Sequence, residues 1–164
     1  MDQMNPKPIL YVEDEQDDIV FMRHAFEQAA VGHPLVTVPD GQAAIDYLDG
    51  QGKYADRSRY PLPGLILLDL NLPRKSGLEV LQWIRRQRAC HTLPVLVITS
   101  SNRELDVHQC YALGANAYVV KPPTIVELQE AVKTVRDFWL KLNQPPPDPL
   151  SPALARTEYG SRQK

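Results

Sequence analysis

Residues 65–73 read Leu65-Ile66-Leu67-Leu68-Asp69-Leu70-Asn71-Leu72-Pro73. Four apolar residues in a row, with a charged residue and a loop signal after them, mark a short strand buried on both faces. Asp69 at its carboxyl end stands where open parallel sheets place their ligands. A matching run, Ile9-Leu10-Tyr11-Val12, lies upstream and also ends in acids, Glu13-Asp14. Leu35–Val38, Val95–Ile98 closing at Thr99, and Ala117–Val120 closing at Lys121 complete a set of five strand-like runs.

Amphipathic stretches separate these runs. Ile19, Met22, Phe26 and Ala29 share a helical face, with Asp17 or Asp18 as the expected cap. A weaker helix is expected over Gly41–Leu48, with Ala44, Ile45 and Leu48 inward. Ser76-Gly77 opens a helix with Leu78, Leu81 and Ile84 inward, and Arg103–Leu113 forms a fourth helix that Gly114 ends. Ile125, Leu128, Val132, Val135, Trp139 and Leu142 keep helical spacing through one long fifth helix. Five βα units in series imply an α/β protein with a doubly wound parallel sheet, and the flavodoxin-like strand order 2-1-3-4-5 suits five units. The loop Gly50–Pro63 is long for a compact domain, which implies either mobility or a contact. Residues 1–142 read as one domain. Residues 143–164, with prolines at 145, 146, 147, 149 and 152, read as an extended or disordered tail too short for a second domain. An extended segment packing on a partner subunit is the functional alternative for that tail.

Composition narrows the function. The 164 residues are 43% hydrophobic with a formal net charge of −2, sufficient for a core and without the basic excess of a nucleic-acid-binding surface. Arg85, Arg86 and Arg88 read as a solvated face near a helix end, where positive charge suits the helix dipole. Cys90 and Cys110 have no metal-site spacing to each other or to the four histidines, and read as free thiols in a reducing compartment. Residues 1–8 lack the apolar stretch of a signal peptide, and no run approaches the ~18 apolar residues of a membrane span. The expectation is a cytoplasmic protein with no membrane attachment and no nucleic-acid partner.

In the order 2-1-3-4-5, Glu13-Asp14, Asp69, Thr99 and Lys121 meet at one sheet edge. Clustered carboxylates repel unless a hard cation neutralises them, and an all-oxygen site suits Mg²⁺. A strand-end carboxylate can accept a phosphoryl group, Lys121 can place a point charge beside it, and the Thr99 hydroxyl can donate to it. Phosphoryl transfer needs mostly positioning and charge stabilisation. Singly, these residues have ordinary explanations as a cap, a β-former and a turn residue. Their joint placement in an ordered βα series does not.

Together, Glu13-Asp14, Asp69 within Leu67–Pro73, Thr99-Ser100 and Lys121-Pro122 resemble the receiver domain of bacterial two-component response regulators over Pro8–Leu142. The resemblance implies Asp69 as phosphoacceptor and Glu13, Asp14, Asp69 and the Asn71 backbone carbonyl around Mg²⁺. It implies Thr99 and Lys121 on the phosphoryl group, Tyr118 as the switch aromatic, and a cis Lys121–Pro122 peptide. The phosphodonor would be a partner histidine kinase, so none of this chain's histidines is needed. His108 on the fourth helix is expected at solvent or at a subunit interface. Self-phosphorylation from a donor and autodephosphorylation are the chemistry implied, rather than turnover of an external substrate.

The long loop and the Asp-Leu-Asn-Leu-Pro wording are similar to single-domain receivers encoded beside bacterial and cyanobacterial phytochromes, which implies a phytochrome kinase as partner. It also implies a homodimer through the fourth helix, fifth strand and fifth helix, whose surface phosphorylation would alter as Thr99 moves and Tyr118 fills the space. Glu13 departs from the commoner Asp, and Pro123 after Pro122 shifts the start of the fifth helix. Ser101 and Asn71 flank the site at positions suited to governing hydrolysis. A silent receiver acting only in dimerisation or binding is one alternative. An Asp-nucleophile phosphohydrolase is another, disfavoured because Asn71 stands where that chemistry needs a second Asp. A flavin-type binding module is a third, disfavoured by the acidic cluster.

Overall fold

The computed structural model describes residues 5–148, 151, 152 and 154. Strands β1 (Ile9–Val12), β2 (Leu35–Val38), β3 (Leu65–Leu68), β4 (Val95–Thr99) and β5 (Ala117–Val120) form one parallel sheet in the order β2-β1-β3-β4-β5. The connecting helices are α1 (Gln16–Gln28), α2 (Gly41–Asp49), α3 (Gly77–Arg86), α4 (Glu104–Ala112) and α5 (Ile125–Val135). The flavodoxin-like topology expected from the pattern is the one observed.

Strand alternation divides the core into two layers. Ile9, Tyr11, Leu65, Leu67, Leu96 and Ile98 face α1 and α5, meeting Ile19, Met22, Phe26 and Val132. Leu10, Val12, Ile66 and Leu68 face α2 and α3, meeting Ala44, Tyr47, Leu48, Val80, Leu81 and Ile84. Each fully buried aliphatic side chain contributes about 1.5–3 kcal/mol, so the central strands β1, β3 and β4 anchor the domain.

Local signals place the ends of the elements. Ser76 and Glu79 close a capping box at the start of α3, Asp40 accepts from the Ala43 N–H at 2.7 Å to cap α2, and Gly114 ends α4 at φ +93°. Pro122 and Pro123 both precede Thr124, which caps α5 by accepting the Glu127 N–H at 3.2 Å.

Several expectations need correction. Neither Asp17 nor Asp18 caps α1; the helix begins at Gln16 after Glu15, which leaves both acids inside the first turn. On α2 the deeply buried aromatic is Tyr47, whereas Ile45 is half-buried. On α3 Val80 takes the inner position and Leu78 is half-buried. The fifth helix is not one regular α-helix. Residues Arg136–Leu142 continue as π-helix, whose wider turn shifts the face, so Leu142 is 75% exposed and Trp139 only half-buried. No described peptide bond is cis, so Lys121–Pro122 is trans, the form that X–Pro bonds intrinsically favour.

The 50–63 loop is packed on its own domain. Gly52–Tyr54 form a 3₁₀ turn, and Tyr47, Tyr54 and Tyr60 meet with ring centroids 5.1–6.1 Å apart. Arg57 donates to the carbonyls of Tyr47 (2.7 Å), Leu48 (2.6 Å) and Tyr60 (3.2 Å), satisfying the end of α2. Arg85 is likewise not part of a solvated face. It donates to the carbonyls of Gly114, His91 and Leu93 and to Asn116 Oδ1, all at 2.7–2.9 Å, and so ties α3 to the loops that lead into β4 and β5. Both thiols are free and buried, and burial pushes each up to about 11. No helix among the described residues is long and apolar enough to cross a membrane.

Candidate functional site

Register brings the strand ends together. Val12 pairs with Leu68, which sets Glu13 beside Asp69, and the Asp69 N–H donates to the Val12 carbonyl at 3.1 Å. Thr99 pairs with Val120, and the Lys121 N–H donates to the Thr99 carbonyl at 2.7 Å. Every strand-end residue singled out from the sequence therefore lies along the carboxyl edge of the sheet.

Oxygen atoms of Glu13, Asp14 and Asp69 all lie within 4.8 Å of one another. Glu13 is fully buried, Asp69 is 4% exposed and Asp14 is half-buried at the rim. Such a trio offers hard oxygen donors only, the donor set that fits Mg²⁺ or a similar divalent cation. Asn71 is exposed one turn beyond, and its N–H makes a long 3.5 Å contact to Asp69 Oδ1. The Leu70 N–H holds the same oxygen at 2.7 Å.

Lys121 reaches into this cluster from the end of β5. Its ammonium lies 2.6 Å from Glu13 Oε2, 2.7 Å from Asp18 Oδ2 and 3.1 Å from Asp69 Oδ2. Burial alone would lower the lysine pKa. The bonds to Asp18 and Glu13 and the charge of Asp69 outweigh it, and the group is held above its usual range. Burial raises the Glu13 pKa, while Lys121 and the Glu15 N–H pull it back and Asp69 pushes it up again; the net direction is upward.

Sequence reasoning missed three contributors. Asp18 is the first, an α1 residue recruited by Lys121. Tyr11 is the second: its hydroxyl, buried beneath the site, donates to Glu13 Oε2 at 3.1 Å, and burial followed by the charge of Glu13 raises its pKa. Gly77 is the third. A Cβ there would lie 2.2 Å from the Asp69 carbonyl oxygen, so only glycine lets α3 rest directly on the loop after Asp69. A Gly following the Ser76 cap was a visible signal for that last residue; the other two had none.

Thr99 is fully buried and its hydroxyl makes a long 3.5 Å contact with the Ser101 N–H, with no hydrogen bond to Asp69. Ser101 is committed elsewhere: its hydroxyl donates to Asp106 on α4, and its carbonyl accepts the Tyr118 hydroxyl at 2.9 Å. The Tyr118 ring packs against a small cluster of Leu70, Val97 and Cys110, linking β5 to the loop after β4. His108 is exposed on α4.

Residues 9–133 match the family model described as the response regulator receiver domain. The chain belongs to this family. As a receiver it is 39% identical over 141 residues to the response regulator Rcp1 of Synechocystis sp., covering 85% of this chain and 94% of that protein. Among solved structures, the phosphorylated cyanobacterial phytochrome response regulator RcpA superposes with a TM-score of 0.80 at 39% identity, covering 86% of this receiver and 99% of that chain. The Mn²⁺-bound form of Rcp1 superposes at 0.78 with 38% identity, covering 86% and 99%.

Proposed function

We propose that this receiver accepts a phosphoryl group on Asp69 from a partner histidine kinase. The observation that carries the reading is the Lys121 ammonium 3.1 Å from Asp69 Oδ2, where Asp69 also belongs to a carboxylate trio whose oxygens lie within 4.8 Å. A carboxylate oxygen of Asp69 forms the new bond to phosphorus as the phosphorus–nitrogen bond of a phosphohistidine breaks. The imidazole leaves and takes up a proton, and an acyl phosphate remains on Asp69. Lys121 supplies charge to the transferred oxygens, and the Thr99 hydroxyl at the neighbouring strand end is the second donor. Glu13, Asp14, Asp69 and the Asn71 carbonyl would hold Mg²⁺, which, when bound, offsets negative charge between acceptor and phosphoryl group. The Mn²⁺-bound relative supports that assignment.

The output is a changed α4-β5-α5 surface. Tyr118 bonds to the Ser101 carbonyl, so a shift of the loop after Thr99 moves the ring with it. That surface carries Leu105, Tyr111, Val120 and Val126, each 45–67% exposed, which supports its use in a homodimer. The relationship to the phytochrome response regulator RcpA supports a phytochrome-type kinase as donor in the cytoplasm. We read the receiver as residues 1–142; the tail assigned to the proline-rich residues 143–164 lies in large part outside the described residues. The product is a signalling contact and not turnover of an external substrate.

Intact mass after incubation with Mg²⁺ and a small acyl phosphate tests the reading. One added phosphoryl group is expected, lost when Mg²⁺ is omitted and in Asp69→Asn. An adduct that survives Asp69→Asn would refute Asp69 as acceptor, and no adduct with a phosphorylated cognate kinase would leave a receiver acting only through binding.

A further inference from the structure

The ammonium of Lys121 has three N–H donors, and three carboxylates use them. The two shortest contacts are to Glu13 at 2.6 Å and Asp18 at 2.7 Å; the contact to Asp69 is the longest at 3.1 Å. Glu13 is sealed, with a side chain 0% exposed and additional donors in the Tyr11 hydroxyl and the Glu15 N–H. Asp18 is different. It sits on α1 at the rim with its side chain 36% exposed, and it does not belong to the carboxylate trio suited to a metal.

We propose that Asp18 is a positioning residue that restrains Lys121, competing with an anion on Asp69 for the lysine and so setting how tightly the site holds a phosphoryl group. The proposal rests on Asp69 being the phosphoacceptor. Glu13 keeps Lys121 in the site when Asp18 is neutral, because the lysine stem is anchored by a buried carboxylate that cannot turn to water. What Asp18 adds is a second negative charge on the ammonium, drawing it from Asp69 and repelling an arriving dianion. Water can solvate the Asp18 carboxylate when the lysine departs, so its release is the easiest of the three.

The test is the affinity for beryllofluoride, a phosphoryl mimic, in saturating Mg²⁺, measured by titration calorimetry on the full chain. Asp18→Asn is expected to bind about fivefold tighter, the scale of a rim ion pair, with the gain shrinking as salt rises. Asp18→Glu is expected to return the affinity toward wild type, since a longer carboxylate still reaches the ammonium. Asp17→Asn makes the same charge change on an exposed neighbour that is not among the partners of Lys121, and is expected to shift affinity less than twofold, a bound set by screening. Affinity for Mg²⁺ alone is expected to be unchanged or slightly weaker in Asp18→Asn, without the gain expected for beryllofluoride. Equal or weaker beryllofluoride binding in Asp18→Asn overturns the proposal, as does an equal gain in Asp17→Asn. If wild type and all variants bind Mg²⁺ but none binds beryllofluoride, the Asp69 reading fails and takes this proposal with it.

Discussion

Lys121→Met removes an ammonium from three carboxylates while keeping most of the side-chain volume. Glu13 then lies fully buried with only the Tyr11 hydroxyl and the Glu15 N–H as donors. Removing one partner of a buried ion pair costs about 3–5 kcal/mol. The contact to the rim residue Asp18 contributes less than about 1 kcal/mol of that, and the two remaining donors soften the rest. A loss of about 3 kcal/mol at pH 8 is expected, or roughly 6–12 °C in Tm for a domain of this size. The loss depends on pH with a definite sign. Burial already raises the Glu13 pKa and Lys121 opposes it, so the variant raises it further. Between the ordinary glutamate pKa and the raised one, the folded state holds a proton that the unfolded state has released. Stability of the variant therefore falls as pH rises through that interval. Urea unfolding of both proteins at pH 5 and pH 8 should show a small deficit at the lower pH and the full deficit at the higher. An equal deficit at both, or one below about 1 kcal/mol, would refute Lys121 as the counter-charge of a buried Glu13.

Other consequences are equally direct. Gly77→Ala gains helix propensity but drives a Cβ to 2.2 Å from the Asp69 carbonyl oxygen; a net loss of about 2 kcal/mol is expected in urea unfolding, and a stabilised variant would show that the loop yields. Arg57→Lys cannot reproduce a planar fork on three carbonyls; hydrogen exchange should speed up across residues 50–63 while the central strands stay protected, and unchanged exchange would remove Arg57 as the clasp of that loop. Arg85→Met leaves the carbonyls of Gly114, His91 and Leu93 without their guanidinium donor; a loss of about 2–3 kcal/mol is expected by chemical unfolding, from several lost hydrogen bonds to a charged donor at part-buried carbonyls. A neutral result there would return Arg85 to the role of a solvated helix-end charge.

The edge that holds the candidate site was readable because its residues terminate strands, and strand ends in a parallel series must share one edge. Asp69, Glu13, Asp14, Thr99 and Lys121 each follow an apolar run, so pattern and topology together place them. Asp18 and Tyr11 follow no such rule. Asp18 looks like a first-turn acid, and its significance depends on a lysine 103 residues away. Tyr11 looks like one more apolar strand residue, and only the buried carboxylate above it makes its hydroxyl matter.

Periodicity along the chain specified the parallel α/β order, the strand ends and the helix stops, because those depend on spacing, capping and the two periods of 2.0 and 3.6 residues. It also marked an apolar face on the fifth helix, but not how much of it would be covered. β5 is the sheet's edge, with no strand beyond it, so α5 buries only Val132 fully and Ile125 stays 45% exposed. The bonds of Arg57 and Arg85, the tyrosine cluster and the three-way sharing of Lys121 were settled by folding alone. Each is a meeting of groups from separate elements or loops, whose partners exist only once the chain has packed.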